Sequence, residues 1–345
     1  MVRPSLRQQL ERALGGTYEI ESEIGAGMSR VFKAREIALN RQVVIKVLAP
    51  ELAGDISLER FRREIQTVAT LQHPHIVPLL VAGEAEGLPY YTMPFVEGQT
   101  LRQRFGGGPL GLHEGFTIFR DVLKALSWAH AHRVVHRDIK PENVMLSGGV
   151  AVVTDFGIAK ALQEAQTNHS GAFRTSVGFS TGTPLYMAPE QAAGDPAMDH
   201  RVDLYAVGIV AYEALGGVHP FADRKGVALM NAHANETPKH LKQVVPMLPS
   251  AICNVVMQTL KKDPAERPRS ADEVLAVLEA LATPRMSVSI PALTKEQLAS
   301  KETAPVSRGS VTEYIKLPRG RVTLLLALAA IAAVLGVLAA WGTSR

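Results

Sequence analysis

The stretch that most constrains this chain is His136–Arg137–Asp138–Ile139–Lys140–Pro141–Glu142–Asn143, followed by Asp155–Phe156–Gly157. Between them lie an apolar run (Val144–Met145–Leu146), a turn signal (Ser147–Gly148–Gly149) and a β-branched run (Val150–Ala151–Val152–Val153). Two apolar runs around such a turn predict a β-hairpin centred near Gly149. The hairpin sets Asn143 roughly opposite Asp155. A carboxamide oxygen beside a carboxylate is a pair of hard ligands suited to Mg²⁺. Asp138, just upstream, is free to point elsewhere.

These residues resemble the catalytic core of protein kinases. Met187–Ala188–Pro189–Glu190 and Val43–Val44–Ile45–Lys46 are two further signatures in the same order. The resemblance runs over residues 18–281 and is similar to the bacterial serine/threonine kinases of the Hanks type. It implies an α+β, two-lobed kinase fold, with a small β-rich lobe followed by a larger helical one. It also implies ATP as phosphate donor, Mg²⁺ (or Mn²⁺) held by Asn143 and Asp155, and protein substrates with Ser or Thr acceptors. Asp138 would accept the proton of the acceptor hydroxyl, and Lys140 would neutralise the γ-phosphate. Lysine at 140, and Thr183 in Gly182–Thr183–Pro184, match the serine/threonine-directed pattern. Thr183 corresponds to the threonine that contacts the catalytic Asp and Lys.

Upstream, Tyr18 to Ile24 alternates as a strand and runs into Gly25–Ala26–Gly27–Met28–Ser29–Arg30–Val31. A dinucleotide-binding reading needs a helix after the glycines. Val31–Phe32–Lys33–Ala34 instead predicts a return strand, so Gly25 and Gly27 cap a hairpin able to cover phosphates. Five residues separate Gly25 from Val31 where the family pattern has six, which shortens the loop; Val31 remains available to pack over adenine. Lys46 sits among Val43, Val44, Ile45, Val47 and Leu48, where an unpaired ammonium would be costly. By the resemblance it grips the α- and β-phosphates and pairs with Glu64. The apolar spacing Phe61, Ile65, Val68, Leu71 favours Glu64 over Glu59 as the inward-facing acid. The resemblance further implies that Met93 gates the adenine pocket, that the Pro94 carbonyl and Val96 N–H meet the base, and that Met145 completes the nucleotide contacts.

In the second lobe, Phe116, Phe119, Leu123, Leu126 and His130 mark one buried helix face. His130 and His132 lack metal-spaced partners and read as structural. Asp203 opens another apolar helix, to Leu215; by the resemblance it braces the catalytic loop, and Arg267 pairs with Glu190. Ser270-x-x-Glu273 is a capping box opening the last helix. Arg137, next to the catalytic aspartate, is a cation that a phosphate on the activation loop can engage. Thr175, Ser176 and Ser180 are the candidate autophosphorylation sites.

Residues 5–14 suit a short helix with Leu6, Leu10 and Leu14 on one face, so 1–17 is expected to be a leader or packing element. The pattern dissolves after Pro284, and 282–321 reads as a flexible linker. Val322 to Trp341 is twenty residues without charge, the length of a bilayer core as a helix. Lys316, Arg319 and Arg321 precede it, which predicts a single-pass anchor in the cell membrane with the kinase-like domain cytoplasmic. Only residues 342–345 follow, so no external sensor domain is expected. Ala332, Gly336 and Ala340 form a small-residue face suited to a homodimer. Net charge is +4, and the basic residues are interspersed with acids, which argues against nucleic acid. The single cysteine, Cys253, lies in an apolar run as an inert thiol. The contrasting reading is a membrane-anchored pseudokinase scaffold, which rests on the shortened glycine loop alone.

Overall fold

A computed structural model describes residues 5–25, 29–48, 58–157 and 185–282, which fall in one compact unit spanning Met1–Arg285. The small lobe is a five-stranded antiparallel sheet of order β1-β2-β3-β5-β4. Its strands are β1 (Tyr18–Gly25), β2 (Ser29–Glu36), β3 (Arg41–Leu48), β4 (Val81–Ala85) and β5 (Leu88–Pro94). The glycines join two strands, with Gly25 opposite Val31, so the hairpin reading holds over the dinucleotide one. Gly27 itself lies outside the described residues.

Each face of this sheet has its own apolar cluster. On one face Phe32, Ala34, Val43, Ile45 and Val47 are fully buried together with Leu10 and Leu14 of helix α1 (Leu6–Leu14). Helix α1 begins in a capping box between Ser5 and Gln8. The sequence sets this helix apart as a leader; the structure makes it part of the small lobe, because its leucines cover sheet surface that would otherwise meet water. On the other face Val44, Leu48, Tyr91 and Met93 pack with Phe61 and Ile65 of α2 (Leu58–Ala69). The expected α2 face is buried throughout, Leu71 just beyond it included.

The larger lobe contains α3 (Leu101–Phe105), α4 (Leu112–Ala131), α5 (Pro189–Ala192), α6 (Arg201–Gly216), α7 (Gly226–Asn235), α8 (Leu241–Val244), α9 (Ser250–Thr259) and α10 (Ala271–Ala282). A second sheet, β6 (Gln99–Thr100), β7 (Val144–Ser147) and β8 (Val150–Val153), lies at its upper edge. Helix α6 is buried from Val202 to Leu215 with only Glu213 half-buried, as expected for a helix apolar on every side. Helices α4, α9 and α10 pack around it or one another. Cys253 is wholly buried on α9, and burial raises its thiol pKa, in keeping with an inert role. At α10 the Glu273 N–H reaches Ser270 Oγ at 3.2 Å, but the Glu273 carboxylate accepts from the Arg269 N–H at 2.7 Å. The return arm of the expected capping box is thus displaced by one residue. Among the described residues no helix is long and apolar enough to cross a membrane; the expected span at 322–341 lies outside them.

Where α6 meets the end of α9, the side chains of Thr259 and Leu260 pack directly onto the Gly208 backbone and leave no room for a side chain there. A Cβ on Gly208 would stand 2.1 Å from Thr259 Oγ1 and 2.9 Å from Leu260 Cδ2. Gly208→Ala is therefore expected to cost about 1–3 kcal/mol by overpacking. Thermal unfolding should show a lowered Tm; an unchanged Tm would mean that the two helices are free to separate.

Candidate active site

Two strands and a turn build the centre of the site. Strands β7 and β8 pair Val144 with Val153 through Ser147 with Val150, leaving Gly148 and Gly149 as a two-residue turn. Both glycines have positive φ, +57° and +82°, the geometry of the hairpin turn whose twist matches its strands. The ladder continues one step, with the Thr154 N–H donating to the Asn143 carbonyl at 2.9 Å. Asn143 therefore faces Thr154, and Asp155 is the next residue on. The Asn143 amide donates to the Asp138 carboxylate at 3.0 Å and to its carbonyl at 2.8 Å. That fixes the side chain with nitrogen toward Asp138, leaving the carboxamide oxygen as the atom a cation would use. Lys140 Nζ also lies on the Asp138 carboxylate, at 2.7 Å. Asp138, free by the sequence reading, is thus held by both of its neighbours in the loop.

Lys46 gives a correction. The expected partner was Glu64; the structure places the Lys46 ammonium on the Asp155 carboxylate instead. Strand register supplies the reason. Val31, Lys46 and Tyr91 are successive partners across β2, β3 and β5, so all three side chains share one face. From there Lys46 and the Tyr91 hydroxyl, at 3.0 Å, both reach Asp155, whose carboxylate is almost wholly out of water. Burial alone would raise the Asp155 pKa; Lys46, and then Tyr91, outweigh it and hold the carboxyl below its ordinary value. Burial and the Asp155 charge push the Tyr91 phenol well above its ordinary value, so it remains a donor. Glu64 is half-buried on α2. Tyr91 is a site residue that sequence reading missed, although the β3–β5 pairing would have revealed it.

Asp155 itself has φ +63°, as does Gly157. At Gly157 a Cβ would come 2.5 Å from Val68 Cγ2, so α2 leans directly on this turn and a side chain there would crowd it as well as strain the backbone. The Phe156 ring is buried edge-on to His136, their centroids 4.6 Å apart.

The apolar part of the cleft is assembled as expected, with one addition. Val31, Val96 and Val152 pack against the cluster of Val44 and Met93. Val152 was not singled out in sequence; it pairs with Met145, which therefore faces the same way. Pro94 and Val96 are half-buried on the connector, and Phe95 between them donates its N–H to the Gln42 carbonyl at 3.2 Å.

Below, Asp203 holds the loop. Its carboxylate accepts the His136 N–H at 2.8 Å, the Arg137 N–H at 2.8 Å and His130 Nε2 at 2.8 Å. Burial pushes this carboxyl upward, but the His130 hydrogen bond and charge outweigh it, and the net shift is down. Arg137 has φ +65°, a conformation L-residues rarely take. It is held there from both sides, its N–H on Asp203 and its carbonyl on Gln191 Nε2 at 2.7 Å. Gln191 is the second residue that sequence reading missed, and no local signal marks it. Helix α5, which carries it, is pinned by the expected Glu190–Arg267 pair, bidentate at 2.6 and 2.8 Å and buried. Thr175, Ser176, Ser180 and Thr183 lie outside the described residues.

The lowered values of Asp155 and Asp203 fix a pH dependence. Both contribute stability that is fully present above the unfolded carboxyl value, about 3.9, and is lost as pH falls through the lower folded values. Asp203→Asn should therefore lower stability at pH 7 by about 3 kcal/mol and flatten the decline below pH 4. Thermal unfolding between pH 3 and 7 checks this; parallel curves for the two proteins would contradict it.

Comparison with known proteins agrees with this geometry. The family model described as "Protein kinase domain" matches residues 18–277. The chain is 37% identical over 292 residues to the serine/threonine-protein kinase pkn3 of Myxococcus xanthus, covering 81% of this chain and 53% of that protein. It is 38% identical over 320 residues to the serine/threonine-protein kinase PknB of Mycolicibacterium smegmatis, covering 89% of this chain and 50% of that one. It thus spans about half the length of these curated relatives. The solved kinase domain of PknI from Mycobacterium tuberculosis aligns with a TM-score of 0.61 at 27% identity, over 76% of this chain and 96% of that domain.

Proposed function

The chain belongs to the protein kinase family, and from that premise we propose that it transfers the γ-phosphate of ATP to Ser or Thr of protein substrates. The observation that carries this reading is the convergence on Asp138 of Lys140 and Asn143, with the ionised Asp155 one residue beyond the ladder partner of Asn143 and gripped by Lys46 from the small lobe. Asp138 orients the acceptor hydroxyl and takes its proton. Lys140, already on that carboxylate, is poised to follow the negative charge to the transferring phosphoryl group. Lys46 has one anionic partner in Asp155 and holds phosphate oxygens as a second.

The donor set fits a hard cation. Asp155 is kept ionised, and Asn143 offers a carboxamide oxygen; Mg²⁺ commonly takes one or two protein ligands and completes its shell with phosphate and water. When bound, it supplies charge neutralisation on the phosphate oxygens. Arg137 is the element of control in this reading. Its buried Nε has no hydrogen-bond partner among the described residues, so it can take a phosphate carried by Thr175, Ser176 or Ser180. Incubating the full chain with labelled ATP and Mg²⁺ should label both a generic Ser/Thr acceptor and the segment around these residues. Asp138→Asn and Lys46→Ala should each lower transfer at least about 100-fold. ATP binding without transfer by the unaltered chain would favour the scaffold reading.

The reading extends to the cell membrane. The uncharged run 322–341, preceded by Lys316, Arg319 and Arg321, supports a single-pass anchor with the kinase domain on the cytoplasmic side. The small-residue face of Ala332, Gly336 and Ala340 supports pairing of two anchors, which raises the local concentration for phosphorylation in trans. The full chain should sediment with membranes and resist salt extraction, whereas a chain ending at residue 321 should remain in the supernatant. Equal partition of the two would remove the anchor.

A further inference from the structure

We propose that Tyr91 is a positioning residue for the metal-binding carboxylate. Its hydroxyl keeps Asp155 Oδ1, so that Oδ2 is the oxygen given to the cation once Lys46 turns to the nucleotide phosphates. The inference rests on the kinase reading above and concerns how the small lobe prepares Asp155. It starts from one carboxylate divided between two unlike donors. Oδ1 accepts from the Tyr91 hydroxyl at 3.0 Å, and Oδ2 accepts from the Lys46 ammonium.

The two donors differ in what displaces them. Lys46 is a point charge on a flexible four-carbon stem, so an approaching divalent cation repels it and phosphate oxygens offer it another anion. The Tyr91 phenol, with an ordinary pKa of about 10, carries no charge near neutral pH, and a cation leaves it in place. Its ring is also fixed. Tyr91 is 2% exposed and lies in the apolar cluster of Val44 and Leu48 on β3 and of Phe61 and Ile65 on α2. Its neighbour Tyr90 belongs to the cluster on the opposite face of the sheet, so strand alternation alone sends Tyr91 toward the cleft.

Packing would be served equally by phenylalanine. What the hydroxyl adds to this apolar cluster is a donor, and a buried tyrosine hydroxyl needs a partner. Here the partner is a residue of the other lobe. Asp155 is thereby held at two points, by its backbone at φ +63° and by Oδ1 on β5. Mg²⁺ demands near-ideal octahedral geometry, so the placing of a ligating oxygen matters more than for a looser ion. Hydrogen bonds to ligating side chains supply that placing, and losing one typically costs about 10–100-fold in metal affinity or activity.

The test measures binding by the full chain, using calorimetry, Mg²⁺ and a non-hydrolysable ATP analogue with an imido bridge between its β- and γ-phosphates. Tyr91→Phe removes the hydroxyl and keeps the ring. In EDTA it should bind the analogue as the unaltered protein does, while the Mg²⁺ affinity of the analogue complex falls at least about tenfold. Unchanged Mg²⁺ affinity in the folded variant overturns the inference. So does a tighter affinity, which would mean that Tyr91 holds Asp155 off the cation. An equal loss of analogue binding in EDTA overturns it too, because packing alone would then be at fault. Where the variant does not fold, a crystal structure of the unaltered chain with analogue and Mg²⁺ decides. It should keep Tyr91 on one Asp155 oxygen and place the metal on the other; release of Tyr91, or metal on the oxygen that Tyr91 holds, overturns the inference. Absence of analogue binding by the unaltered protein overturns the kinase reading, and this inference with it. Binding without transfer to any acceptor overturns the kinase reading alone.

Discussion

A carboxylate taken wholly out of water costs several kcal/mol unless its oxygens are satisfied, and the large lobe is arranged around one such group. Asp203, on the innermost helix, meets that cost with two backbone N–H groups and one imidazole. Both N–H groups belong to the catalytic loop, so the price of burying the acid is met by fixing that loop. The fixed loop can then hold Arg137 in a left-handed backbone conformation that it would not adopt alone. Asp138 follows directly, and its direction is inherited from this arrangement.

The small lobe reaches the same centre by a different route. Among its described residues it places no fully buried acid there; it offers a row of side chains, Val31, Lys46 and Tyr91, on three neighbouring strands. The row meets Asp155, which belongs to the β8 end of the large lobe's hairpin. Covalent continuity through the connector is supported by main-chain hydrogen bonds at the back of the cleft, where the Val77 N–H meets the Val153 carbonyl and the Val153 N–H meets the His75 carbonyl, each at 2.9 Å. The hairpin that carries Asn143 and Asp155 is therefore bonded to both lobes, which suits the proposed transfer, in which two reactants must be kept in line.

Legibility in the sequence followed the range of the interactions. The hairpin around Gly148–Gly149, the α2 face and the α4 face were readable because period and turn chemistry are local. So were Asp138, Lys140, Asn143 and Asp155, which the chain itself places within eighteen residues. Tyr91 was missed because its role depends on register between strands β3 and β5, and Gln191 because its partner is a carbonyl, which leaves no mark in composition. The Lys46 expectation failed for a related reason. Burial demanded an acid, and the sequence offered Glu64 on the next helix, but the acid that burial had made more needy was Asp155, 109 residues away. Helix α1 looked separable because its amphipathic face says that something is covered without saying what.

The acids of the large lobe also differ in how firmly their cations are held, and exposure decides the difference. Arg267 is fully buried and every N–H of its guanidinium is used, by Glu190 and by the carbonyls of Lys261, Lys262 and Arg201. No outside group can compete for such a pair, so its role is to anchor α5 and, through Gln191, the Arg137 carbonyl. Arg102 has the same kind of partners but stands a third exposed beside a more exposed Glu142. Water can compete there, and screening weakens the pair. The same ion-pair chemistry thus anchors an element where it is dry and yields to water where it is wet.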